Sequence, residues 1–393
     1  MSAKQRLVVV GGGMAGHKIA YAMQHVADVT LVDPKDYVEV PMAVPRLLVA
    51  PGSLPAIIPY SAFLPRSKHL QGRLAEVRQR SIIVDAGGRA GTTEVAYDTL
   101  VLATGSNYQG DLVKPVSGSA GERLQHFRSV RKHLESAGRV LIVGGGAVGI
   151  EIAGEITESF PDKLVTVVEA GPHILPMTSE KPRRWAAEFL ERHGVKLITG
   201  ERIVEPASIP SGNLDARGGE AVTDKGSRID YDVGLWCVGL KPDASYLTAH
   251  FPEALDARGL IRVSGDLRVM GQRHMFAVGD ITDLPDKGAM WVKYHADVAI
   301  KNLKRLIAAP TTSVLAHYKR PMPSTTMLVT LGRNNGVIDL PFGKFRAGWL
   351  ARKLKGEHML VPRVRKGVGL STRGETEVGG GGSPAVVVPS GTR

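Results

Sequence analysis

The 393-residue chain contains one cysteine, Cys237. A single thiol excludes a disulfide framework, a Cys-rich zinc or iron–sulfur centre and a CxxC redox pair. No metal site is expected, and a lone thiol suits a reducing compartment. Long apolar runs are also missing, since none approaches the ~18–20 residues of a membrane span. Few residues precede the first apolar run, Leu7 to Val10, which leaves no room for a signal or transit peptide. Position 2 is Ser, not the Gly of an N-myristoylation signal, and the final Ser-Gly-Thr-Arg matches no prenylation or peroxisomal signal. The expected location is cytoplasmic. Acid is scarce in one stretch: between Lys344 and Arg373 nine Lys or Arg face one acid, Glu357. That stretch carries +8 of the chain's +12, so the basicity is mostly a C-terminal feature.

At 43% hydrophobic and 22% charged, the chain can bury a sizeable core. At ~150 residues per domain its length predicts two or three domains. Glycine is abundant, with 46 residues, and two clusters account for the informative part. Leu7-Val8-Val9-Val10 runs into Gly11-Gly12-Gly13-Met14-Ala15-Gly16, a helical stretch to about His25, and Val29-Thr30-Leu31-Val32 ending at Asp33. That order is strand, Gly-rich turn, helix, strand, acid, or one βαβ unit. The strands are continuous apolar runs, as expected of strands buried on both faces of a parallel sheet. The pattern recurs at Val140-Leu141-Ile142-Val143, Gly144-Gly145-Gly146-Ala147-Val148-Gly149, a helix to about Ser159, and Leu164 to Val168 ending at Glu169.

Each glycine in G-x-G-x-x-G has a physical task. Gly11 and Gly144 allow the tight turn, Gly13 and Gly146 admit a pyrophosphate, and Gly16 and Gly149 let helix pack on strand. The helix N-terminus then offers free N–H groups and partial positive charge to the phosphates. Asp33 and Glu169 stand near the spacing of a ribose-binding carboxylate. A charged hydrogen bond to a ribose hydroxyl is worth about 1.5–3 kcal/mol, whereas a 2′-phosphate would meet repulsion. No Lys or Arg closely follows Glu169, so the second site is expected to favour NADH over NADPH.

Two nucleotide sites in one chain require two nucleotides in redox contact. Here the sequence resembles the FAD-dependent pyridine-nucleotide oxidoreductases, from Leu7 to about Gly369. The first βαβ unit resembles their FAD site and the second their NAD(P)H site. Leu102-Ala103-Thr104-Gly105 resembles the family's A-T-G strand, and Phe276-Ala277-Val278-Gly279-Asp280 its second FAD signature. Gly239-Leu240-Lys241-Pro242 resembles its G-x-K-P segment. Three further stretches resemble the apoptosis-inducing-factor-like branch that includes the ferroptosis suppressor protein, a neighbour of type II NADH dehydrogenases. They are Asp33-Pro34-Lys35-Asp36 with Arg46, His295-Ala296-Asp297-Val298-Ala299, and Leu331-Gly332-Arg333-Asn334-Asn335-Gly336-Val337.

The resemblance implies an α/β fold with two Rossmann-like domains, one inserted in the other, plus a smaller C-terminal region. The boundaries are 1–115 and 246–324 for the FAD domain, 116–245 for the NAD(P)H domain, 325–373 for the basic region and 374–393 for a flexible tail. It implies non-covalent FAD, with contacts from Gly11, Gly12, Gly13, Met14, Ala15, Gly16, Asp33, Lys35, Arg46, Val77, Thr104, Gly105 and Asp280. For NADH or NADPH it implies Gly144, Gly146, Gly149, Glu169 and Gly239. Glu151, on the first turn of the second helix, is expected beside the nicotinamide. Lys293 and His295 are candidates to line the flavin or supply a proton to a reduced acceptor. Val38 to Pro41, where disulfide reductases of this family carry a dithiol, holds no thiol. Electrons must therefore pass from flavin to acceptor directly, and Cys237 is expected to be structural. Such enzymes typically pass electrons from NAD(P)H through FAD to quinones. Two alternatives stay open: a reductase of a soluble acceptor such as monodehydroascorbate or a ferredoxin, and a redox-sensing pro-death signalling flavoprotein.

The basic segment is expected to form a short helix over Phe345 to Lys355. Phe345, Trp349, Leu350 and Leu354 share spacing, and Arg346, Arg352, Lys353 and Lys355 fan around them. Cations flanking Trp and Leu suit an anionic membrane surface, through residues 344–373. Nucleic acid is the weaker partner, because the segment has few aromatics and no RNA-binding signature. Oligomeric state is left open.

Overall fold

A computed structural model describes residues 4–87, 91–107, 110–239, 241–310, 314–323, 326–346 and 348–372. The expected tail at 374–393, Leu240 of the G-x-K-P segment and Ala347 lie outside the described residues. The first unit opens with β1 (Arg6–Val10), α1 (Gly16–Met23) and β2 (Asp28–Asp33). Next come β3 (Tyr37–Glu39), α2 (Val44–Val49) and β4 (Ile57–Pro59), then β5 (Lys68–Gln71). An antiparallel sheet of β6 (Arg73–Val77), β7 (Ser81–Asp85) and β8 (Thr92–Ala96) precedes β9 (Thr99–Leu102).

The long helix α3 (Ala120–Ser136) leads into the second unit, its N-terminus closed by a Ser119–Glu122 capping box. There follow β10 (Arg139–Val143), α4 (Ala147–Ser159), β11 (Leu164–Glu169), α5 (Glu180–Arg192) and β12 (Lys196–Thr199). Short strands come next: β13 (Ile203–Glu205), β14 (Leu214–Asp215), β15 (Gly219–Thr223), β16 (Arg228–Tyr231) and β17 (Val233–Trp236). The chain then returns through β18 (Met275–Ala277) and α6 (Ala289–Ala308). It ends in β19 (Met327–Thr330), β20 (Gly336–Leu340), β21 (Gly343–Phe345), α7 (Gly348–Ala351), a π-helical turn (Arg352–Gly356) and α8 (Val361–Gly367).

Two five-stranded sheets organise the molecule, in the orders β18-β9-β1-β2-β5 and β12-β11-β10-β17-β14. The first is parallel throughout; in the second only the pairing of β14 with β17 is antiparallel. Both are the Rossmann-like sheets that the two βαβ units require. The continuous apolar run of β1 is buried on both faces, as expected. Leu7 and Val9 pack with Ile19, Met23 and Leu31, whereas Val8 and Val10 pack with Val32, Leu100 and Leu102. Truncating Ile19 to Ala would cost about 2–5 kcal/mol at such a site. In each sheet the first strand of the unit is flanked on both sides, β1 by β2 and β9, β10 by β11 and β17. Each Gly-rich turn therefore lies at the carboxyl end of a strand where the order reverses, the crevice that open α/β sheets use for ligands.

The C-terminal region differs from the expected helix. Phe345 ends β21, paired with Ile338, because hairpin pairing outcompetes the helical spacing of its neighbours. The antiparallel β19-β20-β21 sheet packs against α4 and α5 of the second unit. Leu331 and Gly332 press so closely on Gly154 that a Cβ there would lie 2.6 Å from the Gly332 nitrogen. Asp339 accepts a hydrogen bond from the Ser179 N–H at 2.7 Å, just before α5.

Candidate active site

At the first cradle the glycines divide by what surrounds them. Gly11 has φ +93°, and a side chain there would strike the Ala103 carbonyl; one at Gly16 would strike the Gly11 carbonyl. Gly13 faces open space, with no atom within 4 Å of an added Cβ. The turn is thus closed where backbone packs on backbone and open where the motif places a phosphate. Met14 and Ala15 continue from this opening into α1. The Gly12 N–H donates to the Asp33 carboxylate at 2.6 Å. Lys35 donates to the same carboxylate through its backbone N–H at 2.8 Å and its ammonium at 3.0 Å. Val77 ends β6 and is buried with Val8, Val10 and Val32 beneath this cradle.

The opposite wall of the cleft comes from β9 and β18. Thr104 bonds the Tyr246 hydroxyl at 2.8 Å, and Gly105 has φ +64°. Asp280 is gripped from both sides, accepting from the Ser106 hydroxyl at 2.8 Å and from the Gly288 N–H at 2.7 Å. Lys114 donates to the Ser106 carbonyl. Ser106, Lys114 and Tyr246 escape sequence reading because no motif marks them; only the fold brings them to the cleft.

The structure corrects the proton-supply reading of His295. The ring is fully buried, burial lowers it to about 4, and its Nδ1 accepts from the Gly279 N–H at 3.2 Å. It stands edge-on to Tyr318, whose hydroxyl donates to Asp286 at 2.7 Å. His295 therefore holds the Gly279–Asp280 turn and is closed to an acceptor. Lys293 is exposed, its ammonium 4.5 Å from the centroid of the Tyr294 ring.

The second cradle repeats the first. Gly144 has φ +111° against Val238 and the Cys237 carbonyl, Gly149 abuts the Gly144 carbonyl, and Gly146 faces open space. Both Glu169 oxygens are held at 2.7 Å, one by the Gly145 N–H and one by the Gly171 N–H. That grip orients the carboxylate at the strand end. Gly239, φ +88°, follows β17 on the neighbouring side. Cys237, half-buried just after β17, has its thiol pushed up to about 12 by burial, which leaves it protonated and inert at neutral pH. With Gly13 and Gly146 open and carboxylates set at the ends of β2 and β11, the residues present fit a dinucleotide at each cradle.

Between the cradles, α4 carries three acids on one face, Glu151, Glu155 and Glu158, spaced four and three residues apart. Each has its own partner. Glu151 is buried and pairs with Lys355, while the Thr330 N–H and hydroxyl donate to it at 2.9 and 3.1 Å. Glu155 takes the Arg46 guanidinium in a bidentate pair at 2.5 and 2.8 Å, and Arg46 also donates to the Gly356 carbonyl at 3.0 Å. Burial pushes the Glu155 carboxyl up, and Arg46 pulls against it. Glu158 accepts from the Arg333 N–H at 2.6 Å. Arg46, expected at the flavin nucleotide, instead ties α2 to α4, because Glu155 and Gly356 take up its guanidinium. Lys355, expected among the cations that meet an anionic membrane surface, is instead buried in the π-helical turn. The extra residue in that turn swings its ammonium inward.

Comparison with known proteins places this geometry. The pyridine nucleotide-disulphide oxidoreductase profile matches residues 5–302. The chain is 27% identical over 379 residues to apoptosis-inducing factor homolog B of Dictyostelium discoideum, covering 92% of this chain and 96% of that protein. It is 30% identical over 345 residues to ferroptosis suppressor protein 1 of Taeniopygia guttata, covering 84% and 87%. A solved structure of NDH2 from Plasmodium falciparum in complex with NADH shares the fold, with TM-score 0.67, 15% identity and 89% and 93% coverage. Two Rossmann-like sheets, two open phosphate cradles and this match over most of the chain lead to one conclusion: the protein belongs to the pyridine nucleotide-disulphide oxidoreductase family, as an FAD-dependent oxidoreductase of NAD(P)H.

Proposed function

We propose that the protein oxidises NADH and reduces a quinone-type acceptor at an anionic membrane surface. FAD, when bound, accepts hydride from the nicotinamide and returns electrons to the acceptor. The chain's own residues bind and orient. Gly11 to Gly16, Asp33, Lys35, Thr104, Gly105 and Asp280 hold the flavin nucleotide, in a domain formed by residues 1–115 and 246–324. Gly144, Gly146, Gly149, Glu169 and Gly239 hold NADH in residues 116–245. The Glu169 carboxylate, fixed by two backbone N–H groups, accepts from the ribose hydroxyls and repels a 2′-phosphate, so NADH is preferred. Glu151 and Lys355 form a buried ion pair at the start of α4, on the nicotinamide side.

The observation that carries the membrane reading lies within 325–373, in the exposed residues that precede Lys355. Phe342 and Trp349 are 81% and 71% exposed, and Leu354 is exposed beside them in sequence. The cations Lys344, Arg346, Arg352 and Lys353 are exposed among them. Each basic residue near an anionic bilayer contributes about 1 kcal/mol, and the apolar side chains add insertion. Among the described residues no helix is long and apolar enough to cross a membrane, and the attachment proposed is a peripheral one. The next residue, Lys355, reaches Glu151, which puts the surface and the redox centre on one short segment. An acceptor dissolved in lipid would reach the flavin without a thiol relay.

Steady-state NADH oxidation with ubiquinone, ferricyanide and monodehydroascorbate tests the reaction. Ubiquinone should give the highest kcat/KM, and turnover below about 0.1 s⁻¹ with all three, against a typical ~10 s⁻¹, would refute an enzymatic role. Flotation with anionic liposomes tests the surface. Binding should fall at high salt and on the double change Phe342→Ser and Trp349→Ser, and unchanged binding would remove the membrane reading.

A further inference from the structure

Lys114 lies in the connection between β9 and α3, and its side chain turns back over the cofactor cleft. A Cβ on Gly105 would lie 3.5 Å from its ammonium, and the Ser106 carbonyl accepts one of its three N–H bonds. The Ser106 hydroxyl in turn donates to Asp280. Burial disfavours the charged form of this ammonium, while of its charged neighbours Asp280 and Asp33 attract it and Lys35 repels it. Among the described residues, however, no carboxylate comes within the 4.0 Å of an ion pair. Three neighbouring cations are compensated: half-buried Lys35 by Asp33, and buried Arg46 and Lys355 by Glu155 and Glu151. A half-buried ammonium with one carbonyl acceptor carries a desolvation cost, and an anion delivered to it lowers that cost. The cradle opening at Gly13 and the N-terminus of α1 already select a phosphate on the Asp33 side of the same cleft.

We propose that Lys114 is the cationic contact for the diphosphate bridge of FAD, and that its uncompensated charge makes the site select a dianionic nucleotide. Lys114 is then a cofactor-specificity residue of the first domain. The purely structural alternative is a lysine that only anchors Ser106, and through it Asp280.

FAD titration of the apoprotein, followed by quenching of flavin fluorescence, separates the two, with thermal midpoints of apo- and holoprotein measured alongside. Lys114→Met should weaken FAD binding at least about tenfold, the scale of a charged hydrogen bond. Lys114→Arg should stay within about threefold of wild type. The apoprotein midpoint of Lys114→Met should hold or rise, because a desolvated charge is gone, while the rise on adding FAD should shrink. Lys114→Gln carries the same expectations if methionine packs badly. FAD affinity within about twofold of wild type in both neutral variants overturns the proposal. So does an apoprotein midpoint that falls together with affinity, and so does an equal loss in Lys114→Arg.

Discussion

The Glu151–Lys355 pair offers a measurable test of how the C-terminal region is held. Both side chains are nearly inaccessible, at 5% and 8% exposure. Replacing Lys355 by Met leaves a carboxylate buried with only the two Thr330 donors. Breaking a buried pair costs about 3–5 kcal/mol, and two retained hydrogen bonds at about 1 kcal/mol each soften that. A net loss of about 1–3 kcal/mol should therefore appear as roughly 5- to 150-fold more frequent opening of the segment. Hydrogen exchange followed by mass spectrometry reads this locally, independent of global unfolding. The sensitive amides are those of Glu357 and Met359, bonded to the Arg352 and Lys355 carbonyls. Lys355→Met and Glu151→Gln should each accelerate exchange across 352–360, and the double variant should add little to either. If the two effects multiply, or if exchange changes less than about threefold, the pair does not hold the segment and the argument fails.

Other expectations follow from burial and from the cradle geometry. Burial lowers both His17 and His295 from 6.5 to about 4. The unfolded chain then binds protons in that window that the native state does not, so stability is full above about pH 6.5 and falls as pH drops towards 4. By pH 5 the loss should reach about 2 kcal/mol for each histidine, and a urea midpoint unchanged between pH 7.5 and 5 would contradict it. Gly13→Ala should leave the apoprotein's thermal midpoint nearly unchanged yet weaken FAD binding about tenfold or more, since its Cβ occupies phosphate space. Gly11→Ala should instead destabilise the fold itself, through strained φ and the Ala103 carbonyl; equal effects at the two positions would undo the assignment of roles. Glu169→Ala should lower the ratio of kcat/KM for NADH over NADPH by roughly tenfold or more, and an unchanged ratio would remove Glu169 from ribose recognition.

Much of the first-order architecture was legible because it is local. Strand, glycine turn, helix and second strand sit within about thirty residues, and their order alone implied β1-α1-β2 and β10-α4-β11 and put Asp33 and Glu169 at strand ends. The single cysteine excluded an intramolecular dithiol relay without any coordinates. Readings failed where a side chain's partner is distant. Arg46 and Glu155 are 109 residues apart, and Glu151 and Lys355 are 204 apart. No periodicity encodes those pairings. His295 and Lys114 fall in the same class: the one is closed off behind Gly279, the other is turned over Gly105, and a lysine or histidine reads the same in sequence either way.

The sequence by itself thus determined the two dinucleotide units and their cofactor class, because glycine sterics and strand periodicity act over a few residues. Only the tertiary structure decided which charges are spent on holding the molecule together. The basic C-terminus divides on that ground. Lys355 is buried against α4, while Arg352 and Lys353, three and two residues earlier, stay in solvent. Desolvation separates them, and desolvation is a property of packing, not of composition.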